Sequence, residues 1–355
     1  MHEFADSPET ARALAAYPGL SAPRVALLPS GLIHRSFAVR DGPDEFVLQR
    51  VNPIFSPLIH ENIAAVTEHL AAKGLVTLRL LPTATGALCA DLGSEGLWRL
   101  MTRVPGVSFD TCDSPGQAHA AGALLARFHS ALDDLEHEFR PLGIPLHDTP
   151  AHLEALEAAL AEHPRHPLHD AVATIAEQAL GEARAWESLD GLPARVIHGD
   201  LKFSNVLFAA GAPLARSRAV SLIDLDTLSR LPLYAELGDA WRSWCNRRGE
   251  DAAVAEFDAE IFRASAQGYL GALAIPLDEA ERHSLALGLE RIALELCARF
   301  AADALRETYF AWDRRRFASA GDHNLTRARG QLSLYRQARA QRQERIDLLL
   351  AGREP

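Results

Sequence analysis

The chain changes periodicity at Pro105 and Gly106, and that change limits the folds open to it. Upstream, short apolar runs alternate with turn residues: "RVALL" (24–28), "FAV" (37–39) and "EFVLQR" (45–50) read as three strands of a meander. The segment "RDGPDE" breaks regular structure between the second and third. "PLIHENIAAVTEHLAAK" (57–73) then places Leu58, Ile63, Val66 and Leu70 on one helical stripe and stops at Gly74. "LVTLRLL" (75–81) and "LWRLMTRV" (97–104) read as two further strands. Downstream the period is helical, in "GQAHAAGALLARFHSALDDL", "AHLEALEAALAEH", "YAELGDAWRSW", "DAAVAEFDAEIFRASAQGYLGAL" and "DEAERHSLALGLERIALELCARFAADAL". A strand-period segment cannot bury its apolar face as a helix, and 355 residues exceed what one core usually needs. The expectation is an α+β, bilobal fold. Residues 1–104 form a small antiparallel-sheet lobe with one helix, and residues 105–355 a larger, mostly helical lobe.

Composition narrows the partners. A formal net charge of −11 opposes nucleic-acid binding, which rests on phosphate neutralisation by clustered cations. No apolar run approaches the ~20 residues that span a bilayer, and the N-terminus lacks a basic segment followed by an apolar core. Cys89, Cys112, Cys245 and Cys297 form no CxxC pair, so neither a zinc knuckle nor a redox motif is present. These features predict a cytoplasmic chain, monomeric or a small homo-oligomer, acting on a small molecule.

Within the helical half, "ARVIHGD", "NVLFAAG" and "RAVSLIDLDT" are short β-like pieces, and their polar residues sit at strand ends. Asp200 is followed five positions later by Asn205, and Asp224 lies beyond a hairpin at the end of "VSLI". Three oxygen-bearing side chains at this spacing suit Mg²⁺ and substrate phosphates. The protein-kinase template has a catalytic-loop Asp that accepts the substrate hydroxyl's proton, an Asn five residues on that binds metal, and a later metal-binding Asp. In the first lobe, "PSGLIHRSFAV" is a strand–loop–strand segment whose Gly31 lets backbone N–H groups approach phosphates. Arg50 on the third strand and Glu61 at the helix start are expected to pair and hold the α- and β-phosphates, as a Lys and Glu pair does in protein kinases.

Together, "GLIHRSF", "VLQRVNPIFSPLIHENIAAVTEHL", "HGDLKFSNVLF", "IDLDT", "LGDAWRS", "RFAADALRETYF" and "HNLTRARGQLSL" resemble the aminoglycoside phosphotransferase-like superfamily, which has a protein-kinase-like fold, and within it the N-acetylhexosamine 1-kinases. The resemblance spans nearly the whole chain. It implies ATP and Mg²⁺ as cofactors and transfer of the γ-phosphoryl group to a sugar's anomeric hydroxyl. By matching position, Asp200 is the catalytic base, Lys202 supports the base or the phosphates, and Asn205 and Asp224 bind metal. Arg50 and Glu61 position the phosphates, and Arg299 and Tyr309 recognise the sugar.

Other readings stay open at single positions. Asp226 either touches metal or a sugar hydroxyl or stabilises the turn. His198 is a buried imidazole bonded to loop backbone rather than a proton shuttle, and Asp239 and Arg242 brace the catalytic loop. The alternatives for the whole chain are a kinase of another small alcohol, choline-like or an aminoglycoside, and a nucleotide-binding pseudokinase. The Arg-rich segment from Glu290 to Arg336 argues against a polycationic acceptor.

Overall fold

A computed structural model of the chain describes residues 7–28, 34–211, 213 and 216–351. Gly31, the expected phosphate-loop glycine, lies outside the described residues. The chain divides into two compact units, one made of residues 1–106, 131–145 and 221–229, the other of 107–130, 146–220 and 230–355. The division differs from a single cut after residue 104, because two later segments return to the first unit.

The first unit is built on a five-stranded antiparallel sheet in the order β1-β2-β3-β5-β4. Its strands are β1 (Arg24–Leu27), β2 (Arg35–Asp41), β3 (Asp44–Arg50), β4 (Ala90–Asp91) and β5 (Leu97–Thr102). The meander is pinned between β2 and β3, where Asp41 pairs with Asp44 around a two-residue turn and Gly42 supplies φ 60°. Period-2 alternation sends Val25, Phe37, Val39, Leu48, Trp98 and Leu100 into one core. That core also takes Ala13, Leu14 and Tyr17, from and just after a helix the sequence reading left unassigned, α1 (Pro8–Leu14). Each large apolar side chain buried there contributes about 1.5–3 kcal/mol. The segment 75–81 is not a regular strand. It runs beside β5 with one bridge, Leu80 to Met101, and scattered bonds such as Leu81 N–H to Leu100 O.

The helix α2 (Ile59–Ala72) buries Ile59, Ile63, Val66 and Leu70. Leu58, expected on that stripe, is instead the exposed residue at the N-cap. Asn62 ties α2 to segment 131–145, donating to Arg140 O and accepting from Arg140 N–H. The same helix packs against a 3₁₀ turn at Leu225–Thr227, which explains why 221–229 belongs to this unit.

The second unit contains all but the last two residues of α3 (Pro115–Leu132), then α4 (Thr149–Glu162), α5 (His169–Arg184), α6 (Leu233–Trp244), α7 (Ala259–Ala272), α8 (Glu279–Arg306), α9 (Ala320–Ala340) and α10 (Arg342–Leu350), with short strands β6 (Arg195–Ile197) and β7 (Val206–Phe208); β8 (Ala219–Leu222) and β9 (Ser229–Leu231) straddle the two ends of segment 221–229. The long α8 is its axis, packed against α4, α5, α6, α9 and α10. It starts with a capping box between Asp278 and Glu281. Helices α6 and α8 cross at Gly238 and Gly288, where a Cβ on Gly288 would stand 2.2 Å from Tyr234 O. The helical pattern of 251–273 becomes a helix only from Ala259, because Asp258 caps it by accepting the Glu260 and Ile261 N–H groups. Among the described residues no helix is long and apolar enough to cross a membrane.

Candidate active site

In the second unit, β6 delivers the chain into the loop 198–205, and one face of α6 holds that loop. Glu236, fully buried, accepts the N–H groups of His198 (2.8 Å) and Gly199 (2.9 Å). One turn further, Asp239 Oδ2 accepts Leu201 N–H (2.8 Å). Another turn on, Ser243 Oγ accepts Phe203 N–H (3.2 Å), and Trp244 Nε1–H donates to Leu201 O (2.8 Å). Residues three or four apart on a helix share a face, so "ELGDAWRSW" carries this bracing at helical spacing. Arg242 clamps Asp239 Oδ1 through Nε (3.1 Å) and Nη2 (2.8 Å). Burial pushes the Asp239 carboxyl up, but Arg242, with His147 and Lys202, outweighs it and holds the group below its usual range.

The loop itself presents the polar residues. His198 is buried and its Nδ1 accepts Asp200 N–H (3.3 Å), a backbone-supporting role. The Asp200 carboxylate stays partly exposed and accepts Lys202 Nζ (2.8 Å). Asn205 closes a 3₁₀ turn at Phe203–Asn205 and donates its Nδ2–H to Asp200 O (2.8 Å), so its Oδ1 is the acceptor end. Asp200, Lys202 and Asn205 are thus brought together.

In the first unit, Asp224 opens the Leu225–Thr227 turn in the left-handed region, φ 65° and ψ 57°. Two residues on, Asp226 is fully buried. It accepts from both terminal guanidinium nitrogens of Arg99 on β5, Nη1 and Nη2 (the latter at 2.9 Å), and from an N–H of His34. Asn52 N–H donates to His34 Nδ1 (3.0 Å), so the proton on the neutral ring stands at Nε2, facing Asp226. Gln49 Oε1 accepts Arg99 Nε (2.8 Å) and Nη2 (2.7 Å). Burial pushes the Asp226 carboxyl up, and Arg99 with His34 more than reverses it, holding the group well below the carboxylate range. Both carboxylate oxygens of Asp226 are thus engaged within the first unit, as the turn-stabilising alternative requires. Donor atoms of His34, Asp224 and Asp226 lie within 4.8 Å of one another. The carboxylate oxygens of Asp224 and Asp226 are donors of the kind a hard cation takes.

The model of the phosphotransferase enzyme family matches residues 24–274, well over half of the chain. The chain belongs to this family. It is an ATP-dependent phosphotransferase of the aminoglycoside phosphotransferase-like, protein-kinase-like type, acting on an alcohol group of a small molecule. Solved structures share its fold. The amicoumacin kinase hAmiN, in complex with AMP-PNP, Ca²⁺ and Ami, is 14% identical with a TM-score of 0.61, covering 92% of each chain. A microcompartment-associated aminopropanol kinase is 16% identical (TM-score 0.58), covering 96% of this chain and 98% of its own. A choline/ethanolamine kinase family protein from Mesorhizobium loti is 17% identical (TM-score 0.57), covering 97% and 99%.

The phosphotransferase does not form the expected Arg50–Glu61 pair. Arg50 binds Glu9 of α1 (3.1 Å), and Glu61 binds Arg140 (2.7 Å), both pairs being substantially exposed. Glu61 stands in the first turn of α2, where that helix meets segment 131–145, and Arg50 reaches Glu9 on the unforeseen α1. Near the end of α8, the Arg299 guanidinium lies over the rings of Tyr309 (5.8 Å) and Phe310 (5.5 Å), so these two expected sugar-binding residues do meet. Asp303 shapes their segment by accepting the N–H groups of Thr308, Tyr309 and Phe310.

Sequence reasoning missed Arg99, His34, Glu236 and a buried pair one helical turn from Arg299, His147 with Glu295. His147 sits at φ 48° with Nδ1 3.2 Å from Glu295 Oε1, and Thr149 Oγ1 donates to Oε2 (2.6 Å). Burial pushes His147 down, but Glu295 outweighs it and raises the imidazole. Only Glu236 had a usable signal, an acidic residue on the apolar face of an otherwise amphipathic helix.

Proposed function

We propose that this phosphotransferase transfers the γ-phosphoryl group of ATP to a sugar hydroxyl, most directly the anomeric 1-OH of a hexose or N-acetylhexosamine. Asp200 acts as the base: its carboxylate receives the proton of the attacking hydroxyl, and Lys202, bonded to it, holds its orientation. Asn205 Oδ1 and the Asp224 carboxylate are the ligands for Mg²⁺, which when bound neutralises the charge of the transferring phosphates. Arg50, half-exposed on β3, contributes a cation for the phosphates, with Glu9 rather than Glu61 as its counter-ion. Glu61 then serves α2 and segment 131–145.

The observation that carries the reading is the loop 198–205, fixed by four residues of α6 while its Asp200 carboxylate stays accessible. For the acceptor, support comes from Arg299 stacked on Tyr309 and Phe310, a cationic and aromatic surface that suits a neutral, hydroxyl-rich ring better than an ammonium. The test is phosphorus NMR of products formed from ATP, Mg²⁺ and a panel of hexoses, N-acetylhexosamines and amino alcohols. An acid-labile phosphate on C1 is expected. A phosphate on C6, or turnover confined to amino alcohols, contradicts the sugar 1-kinase reading.

A further inference from the structure

Asp226 has no part in the scheme above, yet it carries a dense buried network. Replacing a buried ion pair by apolar residues of similar volume is often neutral or stabilising, so fold stability alone is a weak reason for Arg99 and Asp226 to meet there. What the network does hold is the turn Leu225–Thr227, whose first flank is Asp224 at φ 65°. A non-glycine residue keeps that conformation only where its surroundings over-determine it. Here the turn is fixed on its far side by both nitrogens of Arg99 and by His34, which are fixed in turn by Gln49 and by Asn52 N–H.

We infer that Arg99, with His34, positions the metal ligand Asp224: by clamping Asp226 they hold the turn, and with it the Asp224 carboxylate, in the geometry a divalent cation requires. This rests on the metal-binding role of Asp224 proposed above. The competing arrangement, in which Asp226 itself binds the cation, is distinguishable by sign. Arg99→Gln loosens the turn but releases the Asp226 carboxylate, so metal affinity falls if Asp226 is an anchor and rises if it is a ligand.

The experiment measures Mn²⁺ binding to the full chain with AMP-PNP present, by the electron paramagnetic resonance signal of free Mn²⁺, below the unfolding temperature of each variant. Partners behind a metal ligand are worth about 10–100-fold in affinity. Arg99→Gln is expected to weaken Mn²⁺ binding by about that factor, and Arg99→Lys to recover part of it, since an ammonium restores the charge but not the fork. Unchanged affinity in Arg99→Gln together with a lowered unfolding temperature makes the clamp purely structural and overturns the inference, as does increased affinity. Where Arg99→Gln does not fold, His34→Leu, which removes the other arm of the clamp and keeps the Asp226 carboxylate, carries the same expectation and the same refutation. Asp224→Ala separates the two proposals: full Mn²⁺ affinity there removes the ligand role of Asp224 and the inference with it, whereas weakened binding there beside unaffected Arg99→Gln removes the inference alone.

Discussion

Glu236→Gln tests whether α6 sets the shape of the catalytic loop. In the wild-type protein the two carboxylate oxygens take one backbone N–H each, from His198 at 2.8 Å and Gly199 at 2.9 Å, in a fully buried setting. Glutamine has nearly the same volume, so no cavity forms, but it offers one oxygen and turns an NH₂ toward the second donor. One charge-assisted bond is lost, worth about 1.5–3 kcal/mol, and one buried N–H stays unsatisfied at about 1–3 kcal/mol. The sum, about 2.5–6 kcal/mol, is a large part of the 5–15 kcal/mol that typically separates folded from unfolded chains. Urea unfolding followed by the fluorescence of Trp241 and Trp244 reads the loss, and amide exchange at residues 198 and 199 reports whether it is local. A loss under about 1 kcal/mol with both amides still protected refutes the bracing argument.

Gly288→Ala puts a methyl 2.2 Å from Tyr234 O and within 3.3 Å of Gly238 Cα, so the α6–α8 crossing must open; a fall in unfolding temperature of several degrees is expected, and none at all would mean the helices separate freely. A double-mutant cycle on Arg50→Ala and Glu61→Ala should give a coupling under about 0.5 kcal/mol, since each faces a different partner, and a larger coupling restores the pairing expected from sequence. The His147–Glu295 pair has a pH signature. Burial pushes the Glu295 carboxyl up and His147 overrides it, leaving it below its ordinary 4.5, while the imidazole stands above its ordinary 6.5. The pair's stabilisation is therefore complete between about 4.5 and 6.5, fading as pH falls through the lowered carboxyl value and as it rises through the raised imidazole value. The stability difference between wild type and Glu295→Gln should peak in that window, and a difference that grows at alkaline pH contradicts the ion pair.

The parts of this fold readable in sequence were those fixed by local physics. Alternation gave β1 to β3, helical spacing gave α2 to α4 and α8, and the Asp200, Lys202 and Asn205 cluster lies within six residues. What was unreadable depends on distant neighbours. Asp226 looks the same in sequence as a turn residue or a ligand; its anchors, His34 and Arg99, stand 192 and 127 positions away. The Arg50–Glu61 pairing failed because the neutralising carboxylate, Glu9, belongs to a seven-residue helix too short to show a period. Segment 75–81 has strand composition, yet its burial does not alternate and it gains only one bridge.

The central claim is that Asp200 takes the acceptor's proton, and the most direct measurement compares Asp200→Asn with wild type in both turnover and ATP binding. Loss of a positioned base costs about 10²- to 10⁴-fold in rate. The account predicts a fall of that size in kcat with nucleotide Kd essentially unchanged. A variant that keeps most of its turnover, or loses nucleotide affinity in proportion to rate, contradicts it.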